Sequence, residues 1–173
     1  MPSFYQSALM DVSLSMAVLE RATAANPYDV ESWWQLGHNY RYSADLPSAA
    51  EAFEKAVDAS SKRDFASYCD LASVRSKQGK HAEALVALEQ AVLLGAPPSP
   101  SAAAETLKAQ YSYGVALLEM GRAEEAGLVF ESVLEADPDS ADTWGALGIC
   151  MSKLGQLEAA LSCQKQVQRI RAA

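Results

Sequence analysis

Apolar residues recur along this chain three or four positions apart, which is the spacing of one face of an α-helix. No stretch shows the alternation of apolar and polar residues, rich in β-branched side chains, that is typical of a strand. Glycine or proline interrupts the pattern at short intervals, as at Asn26-Pro27, Gly79, Gly121 and Gly155. The sequence therefore predicts an all-α chain of short helices joined by tight turns.

One ordered set of positions repeats along the chain: a large residue, a Leu-Gly-like pair, an alanine and a second large residue. The spacing is 34 residues from Gly121 to Gly155, 35 from Ala49 to Ala84 and 42 from Ala84 to Ala126. The four copies are Trp33, Leu36, Gly37, Tyr40, Ala49, Phe53, Ala56; Tyr68, Leu71, Ala72, Ala84, Leu88, Ala91; Tyr113, Gly114, Leu117, Gly121, Ala126, Phe130, Pro138; and Trp144, Leu147, Gly148, Gly155, Ala160, Val167.

This pattern resembles the tetratricopeptide repeat (TPR), a helix-turn-helix unit of about 34 residues. The resemblance implies a right-handed solenoid of TPR-like helix pairs, forming a single domain over residues 1–173. The repeats are predicted at roughly 30–63, 65–98, 107–140 and 141–173, and an N-terminal capping helix at 3–25. Three residues stand where N-caps are expected, namely Asp29, Asp64 and Ser140.

The longer spacing before the third repeat coincides with Ala96-Pro97-Pro98-Ser99-Pro100-Ser101. Because proline cannot continue a helix, we expect one helix to end before Pro97 and the next to begin near Pro100, with Ser99 as its N-cap. The alanine-rich stretch that follows is then expected to lengthen the first helix of the third repeat by about two turns.

The two ends of the chain differ in polarity. Residues 3–25 are apolar on two sides, with Phe4, Tyr5, Leu9, Val12, Met16 and Leu19 on one and Met10, Leu14 and Val18 on the other. Such a helix is rarely left in water, so it either caps the first repeat or also docks on the groove or on another copy. The last helix, about 157–171, carries Gln164 where other repeats have phenylalanine or leucine, and we read it as a solubilising cap that completes the array.

Composition narrows the function classes. The chain has 14 basic and 22 acidic residues, a net charge of −8, which disfavours nucleic acid and anionic membranes as partners. It has no apolar run of the roughly 20 residues that span a bilayer, so no membrane insertion is expected. Without the features of a secretory signal, a cytoplasmic location is predicted. Three widely separated cysteines, of which Cys150 and Cys163 are read as buried, argue against a disulfide framework or a zinc site.

Catalytic motifs are also missing from the sequence, which has no phosphate-binding glycine loop, HExxH or GxSxG. Ser162-Cys163-Gln164-Lys165 fits SxxK by letter alone, in the terminal helix. His81 falls in a turn and is expected to be solvated. We predict that the protein is not an enzyme and holds no cofactor or metal.

The resemblance implies a binding surface, because in TPR proteins the first helix of each pair lines a concave face. Helical spacing agrees with it, since Trp34, His38 and Tyr42 recur four residues apart. Aromatic and basic side chains of this kind are enriched at binding hot spots. The candidate site is Trp34, His38, Arg41, Tyr42, Cys69, Ser73, Lys77, Lys108, Tyr111, Val115, Leu118, Ile149 and Lys153.

We expect this groove to hold a segment of a partner protein, with Arg41, Lys77 and Lys108 favouring mild negative charge on it. Some TPR proteins clamp a C-terminal carboxylate of chaperones, but of the matching positions only Lys108 fits, and Asp70 would repel the carboxylate. Two alternatives remain: a cytoplasmic secretion-type chaperone, and a homo-oligomeric assembly scaffold that uses residues 3–25. It also remains open whether the N-terminal helix or the lengthened third-repeat helix covers the groove.

Overall fold

A computed structural model describes residues 4–172, with side chains from residue 12 onward. The apolar side chains of Phe4, Tyr5, Leu9 and Met10 lie outside the described side chains. Across the described residues the chain forms nine helices and no strand. They are α1 (Phe4–Ala25), α2 (Val30–Tyr42), α3 (Leu46–Ala59), α4 (Phe65–Lys77), α5 (His81–Leu94), α6 (Ala102–Glu119), α7 (Ala123–Ala136), α8 (Ala141–Lys153) and α9 (Leu157–Ala172).

The turns between paired helices are made by the residues that the sequence indicated. Gly79, Gly121 and Gly155 have φ of 75°, 78° and 76°, a left-handed conformation that glycine adopts at little cost. The first repeat has no glycine there, and Ala44 takes the position with φ of 60°. The helix pair α2–α3 therefore turns in the same way despite the difference in sequence.

Two of the three predicted N-caps are confirmed by hydrogen bonds. The Asp64 carboxylate accepts from the backbone N–H of Ser67 at 3.0 Å, and the Ser140 hydroxyl accepts from the backbone N–H of Thr143 at 3.4 Å. Asp29 stands at the N-cap of α2, but its carboxylate accepts from the Ser32 hydroxyl, at 2.6 Å, and makes no bond to the backbone.

The prediction that Ser99 is an N-cap is wrong. The helix α6 begins at Ala102, and Ser101 is its N-cap residue. The three prolines hold the chain out of the helix for longer than expected, since the turn through Pro100 and Ser101 precedes the first helical residue. The loop is tied back by the backbone N–H of Ala96, which donates to the Thr106 hydroxyl at 3.2 Å.

Phenylalanines packed against glycines form the centre of two helix pairs. Phe53 and Phe130 are fully buried. A Cβ added to Gly37 would lie 2.7 Å from the ring of Phe53, and one added to Gly114 would lie 2.6 Å from the ring of Phe130. Only glycine therefore lets these helices approach so closely.

The first and last repeats also share a hydrogen bond that joins the first helix of each pair to the loop before it. The Trp33 indole donates to the carbonyl oxygen of Pro27 at 2.9 Å, and the Trp144 indole donates to that of Pro138 at 2.8 Å. The same interaction at equivalent positions supports the assignment of both segments as copies of one structural unit.

The chain divides into two compact units, Met1–Lys80 and His81–Ala173. In the first, α3 packs between α2 and α4, and α1 packs on α2. In the second, each of α5 to α8 packs on the next helix along the chain, and α6 also contacts α8. The boundary falls at the turn before α5, inside the predicted second repeat, so a single domain over residues 1–173 stays a prediction.

Candidate functional site

In the first unit, three predicted site residues converge on a carboxylate of α4. The Trp34 indole donates to Asp70 Oδ2 at 2.9 Å, and His38 Nε2 lies 3.0 Å from the same oxygen. Arg41 donates to Asp70 Oδ1 at 2.9 Å. Helical spacing places Trp34, His38 and Arg41 on one stripe of α2, so one acidic residue opposite that stripe binds all three.

The same contacts assign the hydrogen of the His38 ring. A guanidinium nitrogen of Arg41 lies 2.7 Å from His38 Nδ1. Because a guanidinium only donates, Nδ1 must accept, and the ring hydrogen is therefore on Nε2, where it is donated to Asp70. The indole of Trp34 packs edge-on against this ring, with 4.1 Å between centroids.

This network changes the charge expected of the surface. Arg41 was expected to offer a positive charge to a ligand, but the Asp70 carboxylate pairs with it. With Arg41 and Lys77 set against Glu31 and Asp70, the formal charge of the α2–α4 surface is two minus two, or zero. Arg41 is therefore paired within the protein, its preference for a negatively charged ligand stays a prediction, and Asp70 is the residue that sequence reasoning left out of the site.

The remaining candidates on this surface are more open. Tyr42 is 66% exposed, and Ser73 and Lys77 are exposed on α4, while Cys69 is half-buried. From α1, Ser15 accepts from the side chain of Asn39 at 3.0 Å, and Glu20 accepts from the Tyr40 hydroxyl at 2.8 Å. These two α2 residues flank the side of the helix opposite Trp34 and His38, so the described side chains of α1 pack away from the candidate surface.

In the second unit, the candidates form a surface on α6 and α8. On α6, Tyr111, Val115 and Leu118 are half-buried, whereas Lys108 is exposed. On α8, Ile149 is 52% exposed and Lys153 is exposed. We call these six residues, with Glu119 on α6 and Asp142 and Gly145 on α8, the α6–α8 face.

Tyr111 connects this face to the core. Its ring lies 5.7 Å from that of Phe130, measured between centroids. Burial, and to a lesser degree the negative charge of Asp142, raises the pKa of Tyr111, so its hydroxyl stays neutral and can donate a hydrogen bond.

Charges on the α6–α8 face cancel. Lys108 and Lys153 are set against Glu119 and Asp142, which is two minus two. His81, expected to be solvated, is instead half-buried at the start of α5, and its Nδ1 lies 2.7 Å from Glu119 Oε2. Within the described residues His81 Nδ1 makes no hydrogen bond, so its short distance to Glu119 Oε2 is a close approach of an imidazole to a carboxylate.

Elsewhere in the described chain, few titratable or metal-ligating side chains lie close together. Within that part, no three His, Cys, Asp or Glu side chains are grouped so that they could hold a metal ion. Cys150 and Cys163 are buried, as predicted, and burial raises the pKa of both thiols. Ser162 and Lys165 of the SxxK match are both exposed, and the Ser162 hydroxyl donates to the Glu158 carbonyl oxygen.

No described helix has the length and apolar character that crossing a membrane requires.

Comparison with known families agrees with the repeat pattern. A family model described as tetratricopeptide repeat matches residues 35–103 and 69–141. A second model with the same description matches residues 117–171. No curated protein matches the sequence.

Solved structures share the fold at low identity. YrrB, a TPR protein with an unusual peptide-binding site, has 23% identity and a TM-score of 0.82, over 96% of this chain and 81% of that one. A crystal structure of MamA has 19% identity and a TM-score of 0.82, over 99% and 96%. A putative kinesin light chain from Podospora anserina with TPR-like repeats has 22% identity and a TM-score of 0.74, over 93% and 87%. This likeness confirms the predicted fold class, an all-α helical-repeat solenoid.

Proposed function

The chain belongs to the tetratricopeptide repeat family, whose members are protein–protein interaction modules, and we propose that it binds an extended or helical segment of a partner protein on the first helices of its helix pairs. The α6–α8 face is the principal surface in this proposal. The single observation that carries it is the 52% exposure of Ile149 beside the half-buried Tyr111, Val115 and Leu118.

The α2–α4 surface supports binding less well than the α6–α8 face. Trp34, His38 and Arg41 already form hydrogen bonds to Asp70, so a ligand would have to compete with interactions inside the protein. The apolar side chains of the α6–α8 face have no such commitment, and covering them with a ligand removes apolar surface from water. A partner segment of mixed apolar and uncharged side chains fits a face whose charges cancel.

The family offers a precedent of the same kind. YrrB, which shares the fold over 96% of this chain, is described as having an unusual peptide-binding site. The peptide-binding site of YrrB supports peptide binding by a chain of this architecture, while the residues that bind here are proposed from their exposure and charge.

The experiment uses a phage-displayed library of random peptides, panned against the folded wild type. Recovered peptides are synthesised and titrated against Val115→Ala/Ile149→Ala, which removes apolar groups from the face. The matched control is Val86→Ala/Leu128→Ala, which removes two exposed apolar side chains of α5 and α7 (60% and 68% exposed). We expect the face variant to weaken binding by about tenfold or more and the control to leave it unchanged. Equal losses in both variants, or a loss in the control alone, would overturn the proposal.

A homo-oligomeric scaffold remains a second candidate because of one observation. Leu14 and Val18, one turn apart on α1, are 69% and 60% exposed in a helix whose other described contacts are with α2. If they join copies, sedimentation velocity will show a concentration-dependent increase in mass that Leu14→Glu/Val18→Glu removes and Leu128→Glu does not. A wild type that stays monomeric at high concentration excludes this candidate. The secretion-type chaperone stays a prediction from the sequence.

A further inference from the structure

One position on the second helix of each pair packs against the following repeat. It is the residue after the repeated alanine, and in the first three repeats it is buried, with Ala50 1% exposed, Leu85 8% exposed and Gly127 also buried. A Cβ added to Gly127 would lie 3.7 Å from Met151 and 4.0 Å from Leu147, both on α8. Because α3, α5 and α7 each pack on the next helix along the chain, the first helix of the next repeat covers this position.

In the last repeat the same position is open. Leu161 occupies it and is 57% exposed, and Leu157, one turn earlier on α9, is 65% exposed. Gln164 and Gln168 continue this side of the helix at spacings of three and four residues, and both are exposed. We call Leu157, Leu161, Gln164 and Gln168 the α9 stripe. The cap predicted for this end of the chain is therefore polar only in its second half.

The charge of α9 also differs from that of the other second helices. α3 has one basic and three acidic residues, or −2, α5 has two acidic residues and α7 has four, neither with a lysine or arginine. In contrast, α9 has three basic residues against Glu158, or +2. These basic residues are Lys165, Arg169 and Arg171, and all three are exposed. A partner of α9 is thus expected to be acidic, because opposite charges favour an interface and like charges oppose it.

An ion pair between the first two repeats shows where such a charge would lie. Glu54 of α3 pairs with Arg75 of α4, the first helix of the next repeat. Lys165 stands at the position of Glu54, one residue after Gln164, which stands at that of Phe53. A helix that packed on α9 as α4 packs on α3 would therefore carry an acidic residue, in place of arginine, opposite Lys165.

We propose that the α9 stripe is a docking site for an acidic amphipathic helix of a partner protein, which occupies the place of a following repeat's first helix. Its apolar side chains cover Leu157 and Leu161, and its carboxylates face Lys165 and Arg169. The helix runs antiparallel to α9, because Gly127 near the start of α7 packs on residues near the end of α8. Within this chain, α2, α6 and α8 each already pack between two helices, so the occupant comes from another protein.

The test uses a phage-displayed library in which one face of a stable helical hairpin is randomised, panned on the folded wild type. We expect the selected helices to carry two apolar residues four apart and acidic residues beside them. They should bind Leu157→Glu/Leu161→Glu at least about tenfold more weakly than wild type. The matched control, Val86→Glu/Leu128→Glu, changes two exposed apolar residues of α5 and α7 and should bind as wild type does.

A second variant tests the charge of the occupant. Lys165→Gln/Arg169→Gln should weaken binding by about threefold or more and make it less dependent on salt concentration. Lys62→Gln/Arg63→Gln, which removes two exposed basic residues outside α9, is the control and should change neither. Circular dichroism should show wild-type helix content in all four variants, because each changed residue is exposed.

Four results would overturn the inference. Selected helices that bind Leu157→Glu/Leu161→Glu as tightly as wild type, or the absence of the expected pattern, would exclude the α9 stripe as the site. Binding that Lys165→Gln/Arg169→Gln leaves unchanged would exclude an acidic occupant. Helices whose binding is lost only in Val115→Ala/Ile149→Ala would lie on the α6–α8 face, which supports the proposed function but not this site. Self-association of the wild type that Leu157→Glu/Leu161→Glu abolishes would assign the stripe to a second copy.

Discussion

The same substitution, glycine to alanine, should have opposite effects at Gly114 and Gly145. Both residues lie inside helices of the second unit, so both variants gain about 1 kcal/mol of helix propensity. At Gly145 that gain is unopposed, because an added Cβ meets nothing within 4 Å. We therefore expect Gly145→Ala to stabilise the protein by about 0.5–1 kcal/mol.

At Gly114 the added Cβ would lie 2.6 Å from Cε1, 2.9 Å from Cζ and 3.1 Å from Cδ1 of Phe130. Carbon atoms normally approach to about 3.5–4.0 Å, so the overlap is close to 1 Å. The ring has no exposed fraction through which to move. Overpacking of this kind costs about 1–3 kcal/mol, and we place Gly114→Ala in the upper half of that range, for a net loss of about 1–2 kcal/mol.

Urea denaturation followed by circular dichroism measures both variants. With m values of about 1–3 kcal/mol/M, the midpoint of Gly114→Ala should fall by about 0.5–1 M and that of Gly145→Ala should rise by a few tenths. A cycle with Phe130→Leu isolates the clash, because a smaller side chain leaves room for the methyl group and reduces the effect of Gly114→Ala. Equal free energies of unfolding for the two alanine variants, or no coupling to Phe130, would refute the packing argument.

Three further predictions follow from the contacts. Asp70→Ala removes the shared acceptor of Trp34, His38 and Arg41 in a part-buried site, and should lower the free energy of unfolding by about 2–4 kcal/mol in the urea assay. Asp70→Asn should recover part of this loss, and a loss below about 0.5 kcal/mol for Asp70→Ala would contradict the network. Burial and the hydrogen bond to Glu20 raise the pKa of Tyr40 to about 12, so its contribution to stability is complete below pH 10, the ordinary pKa of tyrosine, and is lost as the pH rises to 12. Tyr40→Phe should flatten that decline in the free energy of unfolding, whereas Tyr28→Phe, at an 80% exposed position, should not. Ellman's reagent should label the half-buried Cys69 before the buried Cys150 and Cys163, and peptide mapping that finds the reverse order would contradict the packing of α8 on α9.

Elements set by local chemistry were predicted well from the sequence. Turn glycines, the N-caps Asp64 and Ser140, and the recurring pairs of large and small residues identified the helices, because each depends on neighbours a few residues away. The N-terminus of α6 was placed too early, since three prolines in a loop limit where a helix begins without fixing which serine caps it. The division of the chain into two units had no signal in the repeat pattern.

The sequence by itself determined the fold class. Each helix has one apolar face to bury, and a repeat of about 34 residues supplies helix pairs that cover these faces by stacking on one another. It also predicted which stripe of α2, α6 and α8 carries the candidate site. Only the tertiary structure decided what those stripes do. Asp70 lies 29 to 36 residues along the chain from its three partners. Only the folded structure brings this carboxylate of α4 within hydrogen-bond distance of the α2 side chains. Likewise, a glycine is read from sequence as a turn or a close contact, and only the empty space around Gly145 shows that it is neither.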